Sequence, residues 1–177
     1  MAKHERFNFN NINDLQEQIR LWGLDLPVAR DIGILGEPFQ TGRFRLPNRL
    51  AIHPMEGCDG ESNGAPSELV FRRYRRFAAG GAGLLWFEAC AVVPEGRANP
   101  RQLWLHKETV DEFARLVEET HKAAKESMGP DHRPVAILQL THSGRYSKPG
   151  YKATPIIAHH SEVLDPQHRL DRKSTRL

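Results

Sequence analysis

The sequence predicts an α/β protein, the N-terminal part of a (β/α)8 TIM barrel truncated after about three βα units. Short apolar runs alternate with segments of helical periodicity, which requires parallel strands covered by helices. The segments after the strands are long and polar, whereas those after the helices are short. Loops of that asymmetry gather on one face, as where a barrel builds its site at the C-terminal strand ends. Eight such units occupy about 250 residues, so this 177-residue chain holds less than half a domain.

Residues 13–22 carry an amphipathic pattern and predict a short helix within an N-terminal extension, residues 1–37. Residues 42–46, Gly-Arg-Phe-Arg-Leu, predict a small strand able to plug one end of the sheet. The first barrel strand is Arg49-Leu50-Ala51-Ile52-His53, stopped by Pro54, and a Gly-rich polar loop follows over residues 56–65. Ser67 is placed as the N-cap of a helix with Leu69, Val70, Tyr74, Phe77 and Ala78 along its apolar stripe. The Gly-rich segment 79–83 ends that helix. The second strand, Leu84-Leu85-Trp86-Phe87, is a continuous apolar run of the kind buried on both faces. A long loop leads to residue 106. The helix over residues 108–127 then carries Val110, Phe113, Leu116, Val117, Thr120, Ala123 and Ala124 on one stripe, with Gly129-Pro130 as its stop. The third strand is residues 135–140, and no element is predicted from there to residue 167.

Composition narrows the function classes. With 39% hydrophobic and 27% charged residues, and no collagen or coiled-coil repeat, the chain reads as globular. A net charge of +3 is too small to imply a nucleic-acid partner. The arginines around Tyr74 (Arg72, Arg73, Arg75, Arg76) read instead as the solvated outer face of a covering helix. The most apolar stretch, residues 83–93, is too short to span a bilayer, and the N-terminus lacks an apolar signal segment. Cys58 and Cys90 are too few for a disulfide framework and read as free thiols, consistent with a cytoplasmic location. Residues 171–177 translate GATCGGAAGAGCACACGTCTG, a common sequencing adapter, and are expected to be an artefact rather than part of the natural chain.

Polar or compact groups stand at all three strand ends. The ordered set is Asn48-Arg49 with a strand ending in Pro54-Met55, then Glu88-Ala89 with Gly96-Arg97, then Gln139-Leu140-x-His142-x-Gly144-Arg145. Together these resemble the old yellow enzyme family of FMN-dependent NADH:flavin oxidoreductases. The resemblance covers residues 38–150 and marks residues 38–170 as a partial FMN-binding TIM barrel. It implies an FMN ring across the top of the barrel, packed on the backbone of His53, Pro54, Met55 and Glu56, which would donate a hydrogen bond near N5 and O4. Ala89 would let the ring approach closely, and Gln139 would match its pyrimidine edge with one donor and one acceptor. His142 would face the substrate. The implied reaction is hydride transfer from NADH or NADPH to the flavin and on to an electron-poor alkene. The implied partners are a small-molecule substrate and further copies of the intact parent, with no nucleic acid and no membrane.

One position departs from the family, which commonly carries Thr, Cys or His where this chain has Glu56. A carboxylate there disfavours a reduced, anionic flavin unless it is protonated or turned away. The resemblance places the substrate-orienting pair, the proton-donating Tyr and the phosphate-holding Arg on later strands. No catalytic acid is therefore assigned here, and the chain alone is expected to be inactive, with an unpaired edge at its third strand. Two alternatives stand beside this reading. One is a non-catalytic binding module that completes itself by pairing its open edge. The other is a metal-dependent TIM-barrel hydrolase using His53, Cys58, His142, His159 and His160.

Overall fold

A computed structural model describes residues 7–167 and the backbone of residues 175–176. Most of the segment read as adapter-derived, residues 171–174 and 177, lies outside the described residues.

Helix α1 (Ile12–Leu21) starts where the Asn11 side chain accepts the N–H groups of Asn13 and Asp14, which otherwise have no partner inside the helix. The single strand expected over residues 42–46 is instead a hairpin, β1 (Phe39–Thr41) against β2 (Phe44–Leu46). Gly42, at φ 52°, makes its tight turn. With Asp131 and Arg133, the hairpin residues Pro38, Arg45 and Pro47 line a cavity at the N-terminal end of the barrel sheet.

That sheet is parallel, in the order β3 (Ala51–Ile52), β4 (Leu84–Ala91), β5 (Val135–Thr141). Strand β3 is shorter than the five residues expected. Pro54 has no N–H to give the ladder, and the Met55 N–H turns back to the His53 carbonyl at 2.9 Å. Strand β4 runs beyond Phe87 through Glu88 to Ala91. The 103–105 segment explains the extension: Ala91 donates to the Leu103 carbonyl at 2.8 Å and accepts from the Leu105 N–H at 3.2 Å. An apolar-run criterion stops at Glu88 and misses it.

Two helices cover one face. Helix α2 (Glu68–Ala79) begins after Ser67, but the Ser67 hydroxyl makes no capping bond and is buried without a partner among the described residues. Its buried stripe is Val70, Phe71, Tyr74 and Ala78; Leu69, expected on that stripe, is exposed. Helix α3 (Val110–Met128) buries Phe113, Leu116, Thr120 and Ala124, and Gly129, at φ 99°, ends it. The core joins these stripes to Leu85, Phe87 and Cys90 of β4, with the Tyr74 and Phe87 rings stacked at 4.3 Å. Each fully buried large apolar side chain contributes about 1.5–3 kcal/mol here.

Beyond β5, where no element was expected, the chain forms a 3-10 turn (Gly144–Tyr146), a short strand β6 (Ile156–Ile157) and helix α4 (Leu164–Gln167). All are too short to leave a periodic trace in sequence. Among the described residues, no helix is long and apolar enough to cross a membrane.

Candidate functional site at the strand ends

The end of β4 carries a β-bulge. Phe87 pairs with Leu138 and Cys90 with Leu140, so β4 spends one more residue than β5 between the two pairings. The extra residue returns Cys90 to the helix-facing core, where burial pushes its thiol up to about 12. Ala89 lies within the bulge and is buried at 5% exposure. Tyr74 holds the bulge open from α2: the Glu88 N–H donates to its phenolic oxygen at 2.6 Å, and both residues are buried.

The turn after β3 spends its donors in a definite way. Pro54 has no N–H, the Met55 N–H goes to His53, and the Gly57 N–H donates to Glu88 Oε2 at 3.0 Å. Of residues 54–57, only Glu56 keeps an N–H without a partner among the described residues. The His53 and Met55 side chains are exposed, Met55 at 74%.

Glu88 is the buried charge of the site, 1% exposed. Its second oxygen accepts from Arg73 Nη2 at 2.9 Å, and Arg73 also grips Asp59 through both terminal nitrogens, at 2.9 and 2.7 Å. Arg73 was expected on a solvated face together with Arg72, Arg75 and Arg76. It is instead half-buried at the strand ends, because one position of the helix lies beside the polar end of β4 rather than over open solvent. Its hydrogen bonds to Asp59, together with the charges of Glu88 and Asp59, hold the guanidinium proton tightly. A Cβ at Gly57 would collide with that guanidinium, so a larger residue there would push Arg73 off its present position.

Residues 93–106, read as a long loop, form a clip on the same end. Arg97 is buried and, facing no carboxylate, donates to the Gln102, Ser62 and Pro100 carbonyls. Gln102, also buried, donates to the Ala89 carbonyl and to Glu56 Oε1, both at 3.2 Å. Burial and the neighbouring Glu88 charge push the Glu56 carboxyl above its usual range, with the Gln102 bond working against them. Cys58 adopts φ 52° with its sulfur accepting from Asn99 Nδ2 at 3.1 Å.

Gln139 is half-buried on β5, and its amide makes no hydrogen bond to another described residue. His142 follows, its Nδ1 accepting the Gly144 N–H at 3.0 Å, which places the ring proton on Nε2. The imidazole packs over Gly96, where a Cβ would come within 2.8 Å of its Cδ2. Arg145 turns away to Asp165 and the His159 carbonyl.

The strand ends thus gather Pro54, Met55, Glu56, Ala89 and Gln139 along three adjacent strands, with His142 just beyond. Sequence reasoning missed Arg73, Tyr74, Gln102 and the depth of Glu88. Only the Glu88-Ala89 and Gly96-Arg97 pairs signalled that this stretch mattered. The residues named for a metal hydrolase do not converge: among the described residues, no group of three His, Cys, Asp or Glu side chains is placed to hold a metal ion.

Comparisons with known proteins point the same way. The sequence profile of the NADH:flavin oxidoreductase / NADH oxidase family matches residues 35–174. The fold resembles the old yellow enzyme homologue of Zymomonas mobilis with a TM-score of 0.57 and 23% identity, over 72% of this chain and 33% of that one. A variant of morphinone reductase in complex with tetrahydroNAD gives 0.57 and 24%, over 70% and 32%. Old Yellow Enzyme from a Pichia species gives 0.56 and 22%, over 77% and 30%. The chain spans about a third of the length of these structures, and its three parallel strands with their helices correspond to part of their (β/α)8 barrel.

Proposed function

Since the chain belongs to the NADH:flavin oxidoreductase / NADH oxidase family, we propose that the ends of β3, β4 and β5 hold FMN. We further propose that the whole protein carries hydride from NADH or NADPH to an electron-poor alkene such as an enone. The observation that carries this reading is a pair of unspent hydrogen-bonding groups, the Glu56 N–H and the Gln139 amide, on the two strands that flank Ala89. The Gln139 amide is half-buried, and polar groups so placed normally find partners; Glu56 is exposed, and a flat heterocycle with neighbouring donor and acceptor atoms suits its N–H and that amide together.

FMN, when bound, supplies the two-electron redox chemistry that no side chain here can perform. Gln139 would donate through Nε2 and accept at Oε1, which fixes the orientation of a ring edge bearing an N–H beside a carbonyl. The Glu56 N–H would donate to a ring acceptor near β3, and the small Ala89 side chain would limit the bulk at the central strand end. The Glu56 carboxyl is bound to Gln102, and burial and the Glu88 charge hold it above its usual range. His142 would present Nε2–H to a substrate oxygen. The proton donor and the phosphate grip that the family resemblance places on later strands are not among these residues. Turnover is therefore proposed for the whole protein, and the 177-residue chain alone is expected to be inactive.

Titration with FMN tests the reading, followed by flavin fluorescence and the visible bands. The protein should take up FMN, and Gln139→Leu should weaken uptake by about tenfold, the worth of one well-made hydrogen bond. Uptake that Gln139→Leu leaves unchanged, or no uptake by the unaltered protein, overturns it.

A further inference from the structure

We propose that Arg73 is a positioning residue: from helix α2 it fixes, through Glu88, the backbone turn that the FMN reading above places against the flavin. The argument begins with the Gly57 peptide. Its N–H is held by Glu88 Oε2 at 3.0 Å, so the orientation of the Glu56–Gly57 peptide depends on where that carboxylate sits. A carboxyl buried at 1% exposure needs a partner for its oxygens, and the guanidinium of Arg73 at 2.9 Å supplies one.

Arg73 is in turn aimed by Asp59, which takes both of its terminal nitrogens. A planar fork with a second acceptor within reach can hold two carboxylates at once, whereas an ammonium is a point charge without that geometry. The relay therefore runs from the rigid helix through one guanidinium to two carboxylates and then to a single backbone N–H. The lack of room for a Cβ at Gly57 shows how closely the turn is drawn onto the guanidinium. Glu88 is also pinned at its own N–H by Tyr74, one residue along the same helix. Two successive residues of α2 thus set the β4 bulge and the β3 turn relative to each other. The Glu56 N–H sits on the preceding peptide, joined at the Glu56 Cα to the one Glu88 holds, so the relay restricts it from that side.

The test is local amide exchange combined with flavin titration, on the unaltered protein and on Arg73→Met, Arg73→Lys and Asp59→Asn. Arg73→Met should speed exchange at Gly57 at least tenfold while leaving the Phe87 and Leu138 amides unchanged. It should also weaken FMN uptake and shift the visible flavin bands, and Arg73→Lys should restore only part of each. Asp59→Asn keeps the charge of Arg73 but loosens its aim, and should give the same pattern more weakly, which keeps the proposal decidable if Arg73→Met does not fold. Unchanged Gly57 exchange in a folded Arg73→Met or Asp59→Asn protein overturns the relay. So does a rise spread evenly over the whole sheet, because that would be general loosening. If the unaltered protein takes up no FMN, the flavin reading fails by itself, and exchange at Gly57 still decides whether the relay exists.

Discussion

Strands β4 and β5 lie side by side, run parallel and are similarly apolar, yet β4 is buried along most of its length and β5 has no fully buried residue. The difference lies in their neighbours. Strand β4 has β3 and the 103–105 segment on one edge, β5 on the other, and both helices across one face. Among the described residues strand β5 pairs only with β4, and it meets the helix-covered core only through the partly buried Ala136 and Leu138, while Ile137 is 38% exposed and Leu140 60%. Hydrophobicity makes a residue eligible for the core, but removal from water depends on what the chain places around it.

The largest effect expected from this contrast is on stability. Phe87→Ala empties a site packed against Tyr74 in the closed core and should cost about 3–5 kcal/mol. Ile137→Ala removes a side chain that water already reaches and should cost about 1 kcal/mol or less. Urea denaturation of the two variants measures both. Equal costs would mean that the β5 face is covered in solution.

The same contrast explains how much the sequence could reveal. Helix α3 was legible to within two residues because its period of apolar positions is long and its Gly129 stop is unambiguous. The strand order was legible because parallel strands with covering helices leave few arrangements. The β4 bulge was not, since a bulge is a property of two paired strands and neither sequence alone contains it. Arg73 was misplaced for a related reason. Its helical phase is outward-leaning, and only the distance from α2 to the polar end of β4 brings it onto Asp59 and Glu88. Of the candidate site, Pro54, Met55, Ala89 and Gln139 are named by strand ends and family resemblance alone. Gln102 is not, because its role depends on a loop folding back.

A smaller effect separates the two strands at single polar groups. Tyr74→Phe leaves the Glu88 N–H buried beside an apolar ring edge, and should cost about 1–3 kcal/mol. Gln139→Leu on β5 removes an amide with no described partner and should change stability by less than about 0.5 kcal/mol, while on the proposed function it should weaken FMN uptake. The pair therefore distinguishes a polar group that stabilises the fold from one kept for a ligand. A large stability loss in Gln139→Leu would move that residue into the first class.

The smallest effects are in pH, where the two sides of the site should respond with opposite sign. Glu56, beside β4, has its carboxyl raised above 4.5 by burial and by the Glu88 charge. The folded state then binds more protons there than the unfolded state, so stability is highest below 4.5 and declines as pH rises through the raised value. Asp165, beyond β5, behaves inversely. Burial works to raise its carboxyl, but hydrogen bonds from Arg145, the Ser161 N–H and His160 outweigh it and hold the group at about 2, against an ordinary 3.8. Its contribution is complete above 3.8 and is lost as pH falls toward 2. Denaturation midpoints for Glu56→Gln and Asp165→Asn, measured against the unaltered protein, read the two signs separately. Glu56→Gln should gain relative stability as pH climbs from 4 to 7. Asp165→Asn should lose least at the acid end, where its carboxylate is already protonated in the unaltered protein. A Glu56→Gln difference that stays flat across that range would mean that Glu56 titrates as a solvated carboxylate, screened by water from the charge of Glu88.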